Sequence, residues 1–314
     1  MPPFPLLRLP RLVLCEVFKS FSIGEKFKLS LCSKKIYTEI NNVRLYSQKV
    51  IVSLDMINKE IRVNSENDED TFKVFIDLNI RKRNYSKQQF SIACRTVKVM
   101  STRKKFKMYW KNYQEGFLSS IRHLLKMFQC KVSTSFICHG SDIFQPTIST
   151  LFDLQVEFET LCIHFKRSKD ENLLWNQISN NLGLVENLTI SSVPDIDFTP
   201  VFTSWPQQIS IMNSAWFTRE SLLTCPCTTI TLWNSDLENK DLDEIFRKWR
   251  AGELSNLKYL KIHSLSFTDN GDHVLGRNLR ELNGMVIQTD DGSKKATIRL
   301  GLNWMIEIYV TPFE

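Results

Sequence analysis

Ile230-Thr231-Leu232-Trp233-Asn234-Ser235-Asp236-Leu237 alternates apolar and polar side chains over a short run and then breaks at an asparagine. That is the signature of a half-buried strand ending in a turn, where the asparagine amide can satisfy backbone groups. Downstream, Leu242, Ile245, Phe246 and Trp249 fall on one face of a helix predicted over Asp241 to Arg250,. Ala251-Gly252 closes that helix, because glycine accepts the left-handed conformation that a helix end demands,. Leu257-Lys258-Tyr259-Leu260-Lys261-Ile262 then reads as the next strand. A strand, a helical return and a second strand form a parallel unit, with the helix covering one face of the sheet.

Working outward, the same apolar-x-apolar signal recurs. It stands at Leu161-Cys162-Ile163, Leu188-Thr189-Ile190, Ile209-Ser210-Ile211, Ile230-Thr231-Leu232 and Leu260-Lys261-Ile262, at spacings of 27, 21, 21 and 30 residues. These periods lie in or near the range of leucine-rich repeats, whose stacked units present an extended sheet face for binding. Toward the end of the chain, Met285–Thr289 and Ala296–Leu300 flank Asp291-Gly292, a hairpin turn pair, and Trp304 to Val310 is a candidate closing strand,. The elements Leu222–Cys225, Ile230–Leu237, Asp241-Leu242, Phe246–Trp249 and Leu257–Ile262 together resemble the F-box-associated domain (type 2) over about residues 180–265. The resemblance implies that this half selects a target protein and leaves the target unnamed.

At the front of the chain, Phe4 to Tyr37 reads as three short helices with almost no loops. Pro10 suits the first helical position, Val13, Leu14, Val17, Phe18 and Phe21 form a broad apolar stripe, and Ser22-x-x-Glu25 is a capping box,. Phe27 and Leu31 belong to the second helix, and Ser33 stands as the N-cap of a third that carries Ile36 and Ile40,. The apolar surface exceeds what so short a unit can bury alone, so it needs a partner. Leu9-Pro10, the Val13/Val17-Phe18 stripe and the run Glu25 to Lys35 resemble an F-box of the kind found in the large nematode F-box families. That resemblance implies docking on the Skp-type adaptor of a cullin-RING ubiquitin ligase. Residue by residue it carries over to Leu9, Pro10, Val13, Val17, Phe18, Leu29, Leu31 and Cys32. Many F-boxes place a tryptophan shortly after the cysteine; here none follows until Trp110, and Tyr37 is the residue available for that space.

The 314 residues suffice for one large or two ordinary domains, and 42% hydrophobic with 24% charged residues is a globular composition,. Eight cysteines in a chain of this length suggest thiols in a reducing compartment, cytoplasmic or nuclear, rather than a disulfide scaffold,. Arg8, Pro10, Arg11 and Glu16 interrupt the apolar start, which argues against a signal peptide, and no membrane span is expected,. Between the two recognisable ends, strands are predicted around 49–54, 61–63 and 72–78, with Glu66–Asp70 as a solvated hairpin tip, then a helix over Glu115–Phe128 and a strand over Val132–Cys138. With no Gly/Pro/Ser-rich linker in it, residues 49–150 are read as early turns of the solenoid or a mixed α/β segment, the former preferred. Residues 81–111 hold eleven Lys or Arg and no acid, with Tyr85, Phe90, Phe106, Tyr109 and Trp110 among them. Such a mixture serves a solvated strand-helix pair, an acidic protein partner or single-stranded nucleic acid.

No nucleophile elbow, P-loop, metalloprotease helix or dinucleotide fingerprint is present,. Cys225-Pro226-Cys227 lacks the C-x-x-C spacing, Cys130, Cys138 and His139 do not match a zinc motif, and Cys162 with His164 lacks an orienting third group,. No cofactor, metal or catalytic residue is therefore expected. The expected architecture is α/β: a three-helix F-box over 1–48, the segment 49–150, and an irregular leucine-rich-repeat-like solenoid over 151–314. Three readings follow: a non-catalytic substrate adaptor of a Skp-cullin-F-box ligase, a repeat-based interaction module without a ligase role, and an RNA-associated protein using residues 81–111.

Overall fold

A computed structural model describes residues 6–42, 50–67, 69–78, 88–92, 95–102, 104–134, 144–164, 171–191, 200–269 and 272–312. The chain divides into two compact units, residues 1–156 and 157–314.

The first unit opens with α1 (Arg11–Ser20), α2 (Ile23–Cys32) and α3 (Lys34–Asn42). Pro10 is the N-cap of α1 rather than its first helical residue, its carbonyl accepting from Leu14 N at 2.9 Å. The predicted capping box forms: Glu25 N donates to Ser22 Oγ at 3.2 Å and Ser22 N donates to Glu25 Oε2 at 2.9 Å. Ser33 caps α3, accepting from Lys35 N at 3.2 Å.

Seven strands and two helices follow: β1 (Val50–Asp55), β2 (Glu60–Ser65), β3 (Thr71–Asp77), β4 (Gln88–Ile92), β5 (Arg95–Ser101), β6 (Lys105–Tyr109), α4 (Tyr113–Phe128), β7 (Val132–Thr134) and α5 (Phe144–Asp153). The strand order is β7-β1-β2-β3-β6-β5-β4. Two antiparallel meanders, β1-β2-β3 and β4-β5-β6, meet through the parallel pair β3–β6, and β7 pairs parallel with β1. Reading residues 49–150 as early turns of the solenoid therefore does not hold for the described residues. Alternation reveals which face of a strand is buried but not the direction of its neighbour. The predicted strand beyond Thr134 lies outside the described residues.

The front helices lie on this sheet. Phe27 stacks on Phe72 with ring centroids 5.0 Å apart and meets Phe106 edge-on at 5.0 Å. Ile23, Phe27 and Leu31 are buried together with Val63, Val74 and Phe106. The acidic turn does more than face solvent: Asp70 accepts from Ile23 N at 2.5 Å, placing a carboxylate at the positive end of α2,. Asp70 and Glu25 also partly offset the lowering of the Lys26 pKa, which burial of that side chain causes. α4 is N-capped by Asn112, whose Oδ1 accepts from Glu115 N at 2.9 Å. Its first turn passes so close to Trp110 that a Cβ on Gly116 would lie 2.5 Å from Trp110 Cγ.

The second unit comprises β8 (Phe158–Ile163), α6 (Glu171–Ser179), β9 (Val185–Ile190), β10 (Gln208–Ile211), α7 (Arg219–Thr224), β11 (Thr229–Ser235), α8 (Asn239–Arg250), β12 (Tyr259–Ser264), β13 (Val286–Gln288), β14 (Lys294–Leu300) and β15 (Met305–Pro312). β8 through β12 are consecutive parallel neighbours, and β15, β14 and β13 extend the sheet antiparallel from β12. The repeated apolar positions fall in register, Leu161 beside Leu188, Ile209, Ile230 and Leu260, and all five are buried. Asn234 sits in the left-handed region at φ 51°, and its Nδ2 donates to Met212 O at 3.3 Å, tying one unit to the one before. Buried Asn239 does the same forward, donating to Thr268 O at 2.7 Å and Asp272 O at 3.0 Å while accepting from Thr268 N at 3.1 Å. β15 occupies the far edge of the parallel run, so its last strand is not left unpaired,.

Candidate functional site

In α1 the inward face is Leu14 and Phe18, 4% and 0% exposed. The outward face carries Leu12 at 82% and Val13 at 46% exposure, with Pro10 exposed just ahead and Leu9 and Val17 half-buried beside them. The stripe read from the sequence is thus divided between two faces. Leu12 lay outside that stripe because Glu16, one turn on, breaks the apolar periodicity on its side,. Of the remaining residues named from the sequence, Leu29 is half-buried, Leu31 is buried and Cys32 is exposed. Partial burial of the Cys32 thiol pushes its pKa up, with Lys28 opposing. Tyr37 packs on His123, ring centroids 4.9 Å apart.

The second unit carries a different surface. At the apolar-x-apolar positions of the five parallel strands the outer two residues are buried and the middle one lies on a half-exposed face. One row runs Cys162, Thr189, Ser210, Thr231, Lys261 and Glu307 in direct register. Its small hydroxyl side chains form a low floor beside a taller cluster. Lys261 pairs with Glu307 at 3.0 Å and stands 4.8 Å from the centre of the Trp233 ring. Tyr259 and Tyr309 both donate to Glu307, at 3.1 and 2.9 Å. Lys261 first, then the two phenols, hold the Glu307 carboxyl below its usual range. The Tyr259 hydroxyl moves up, chiefly through burial and then through Glu307. A flat polar floor bordered by anchored aromatic side chains can take up another protein's surface with little loss of side-chain entropy.

The basic segment contributes less than its composition suggests. Arg81, Lys82, Arg83, Tyr85, Lys87 and Arg103 lie outside the described residues. Of the others, Arg95 pairs with Glu115 at 2.7 Å and Lys107 with Asp77 at 2.6 Å. Phe106 and Trp110 are buried, so their faces are not offered to nucleic-acid bases. Cys225 and Cys227 are buried thiols, with Cys227 Sγ donating to Pro206 O at 3.1 Å. His164 Nδ1 lies 3.1 Å from Ser191 Oγ. Among the described residues no group of three metal-ligating side chains comes together, and no helix is long and apolar enough to cross a membrane.

The F-box domain family matches residues 6–48, the three helices whose outward face carries Leu12 and Val13. The family described as F-box associated matches residues 198–262, the span from just before β10 to β12. These matches give the chain an F-box domain at its front and an F-box-associated domain in its second unit. It is also similar to a protein of Caenorhabditis elegans, "Uncharacterized protein F59B2.8", with 19% identity over 270 residues. The match covers 82% of this chain and 60% of the relative, so it spans less than two thirds of the relative's length. No solved structure matches.

Proposed function

We propose that the chain is a non-catalytic substrate-recognition adaptor of a Skp-cullin-F-box type ubiquitin ligase, acting inside the cell. On this reading Pro10, Leu12 and Val13, with Leu9, Val17, Leu29 and Cys32 at the margins, dock on the Skp-type adaptor and through it on a cullin. Phe18 and Leu31, which the resemblance also nominates, hold the docking helices in shape from within. The second unit then binds a target protein across its half-exposed sheet face, and its parallel run acts as a leucine-rich-repeat-like platform. Catalysis is by proximity, since a bound target lysine is held near a charged ubiquitin carrier.

The observation that carries the reading is the pair of exposed apolar side chains, Leu12 and Val13, on an F-box whose other face is already buried in its own unit. Apolar side chains left in water on a helix otherwise fixed in place contribute about 1.5–3 kcal/mol each once a partner covers them. Co-expression of the intact chain with a Skp-type adaptor tests this. The expected result is a complex that survives gel filtration. If the two proteins elute separately, the chain is an interaction module without a ligase role.

A further inference from the structure

The first unit contains a cleft of about 800 Å³ between the α2–α3 junction, the middle of α4 and the strands β4 and β5. Its charged lining is of one sign. Among the described residues Lys34, Arg122 and Lys126 border it, and no carboxylate does. Among the described residues none of these three cations has an ion-pair partner, whereas Arg62 and Lys73 share Glu60, Arg95 pairs with Glu115 and Lys107 pairs with Asp77 in the same unit. Lys34 is also the first residue of α3, whose opening turn contains no acid, so the positive end of a helix adds to the same field,. The interior of the cleft has another character. Leu31 and Phe90 are buried in its wall, and the Tyr37 ring packs on His123. The Ser30 hydroxyl gives its proton to Phe27 O at 2.7 Å, so His123 Nε2, 2.9 Å from Ser30 Oγ, must be the donor to it,. The imidazole there is neutral, since burial holds its pKa down to about 4. Charge is thus confined to the rim, while the wall offers apolar and neutral hydrogen-bonding groups.

We propose that this cleft binds a small phosphorylated organic molecule, its phosphate between Lys34, Arg122 and Lys126 and its organic body against Leu31, Tyr37 and Phe90. The volume falls within the range of small-molecule sites, about 300–1,000 Å³. Three unpaired cations suit a multiply charged phosphate, which supplies both counter-charge and acceptors for the Arg122 fork.

The test is calorimetric titration of the full chain with ADP, glucose 6-phosphate and inorganic pyrophosphate, with adenosine and glucose as uncharged controls. Saturable one-to-one binding of at least one organic phosphate is expected, tighter than that of pyrophosphate, with the uncharged controls silent. Arg122→Gln/Lys126→Gln, two exposed substitutions on a helix, should weaken that binding at least tenfold with an unchanged circular dichroism spectrum. Thr96→Trp, which puts a bulky uncharged side chain in the cleft, should weaken it as well without changing the charge of the rim. The proposal is overturned if none of the phosphates binds at millimolar concentration. It is equally overturned if pyrophosphate binds as tightly as the organic phosphates, or if the double substitution leaves the affinity unchanged.

Discussion

Two side chains show how single residues set the properties of the first unit. Gly116 is required by proximity, not by backbone conformation, because a methyl group there would run into the Trp110 indole at 2.5 Å. Gly116→Ala adds helix propensity worth about 1 kcal/mol but forces Trp110 out of its packing, which costs about 1–3 kcal/mol. A net loss of stability is expected in urea unfolding, where alanine in an exposed helix interior would raise it. His123 is the second case. Burial lowers its folded pKa to about 4 against about 6.5 in the unfolded chain,. Between those values the unfolded state binds the extra proton, so the stabilisation is full above pH 6.5 and falls away as pH drops toward 4. The expected loss is about 2 kcal/mol at pH 5. Urea midpoints measured at pH 7 and pH 5 should differ in the intact protein and differ less in His123→Leu; equal pH sensitivity in both would contradict the assignment.

At the scale of elements, the F-box helices are part of the first unit's core. Phe27 lies against Phe72 and Phe106 and is fully buried, so Phe27→Ala should cost about 3–5 kcal/mol,. The measurement is thermal unfolding of the full chain, where the transition that includes the first unit should move to lower temperature. In the second unit Asn239 makes three hydrogen bonds to the loop after β12 while buried. Asn239→Ala would leave those backbone groups unpaired at a cost of about 1–3 kcal/mol each at most, loosening residues 265–269 to hydrogen exchange before the strands. These elements were unevenly legible in the sequence. The five parallel strands were readable because Leu161, Leu188, Ile209, Ile230 and Leu260 each sit in a local apolar-x-apolar pattern, and the capping box because Ser22 and Glu25 are three apart. The meanders of residues 50–109 were not, since pairing direction depends on partners distant in sequence. Asp70 at the end of α2 and the cation-rimmed cleft were hidden for the same reason: each joins residues brought together only by folding.

On the scale of the whole molecule, the chain is two compact units with different surfaces. The first presents a small apolar patch on α1, and the second a polar sheet face with an anchored aromatic border. A protein that joins one constant partner to one variable target needs such a division. The exposed apolar patch of α1 was only partly visible in the sequence, since Leu9, Pro10, Val13 and Val17 were named with Phe18, which faces inward, and without Leu12, which faces out. The measurement that bears most directly on this account is the affinity of the full chain for a Skp-type adaptor, compared between the native sequence and Leu12→Asp/Val13→Asp. Both side chains are exposed, so the fold should persist by circular dichroism. Losing two apolar contacts of about 1.5 kcal/mol or more each predicts at least a hundredfold weaker binding. Unchanged affinity in the double variant, or no binding by the native chain, would contradict it.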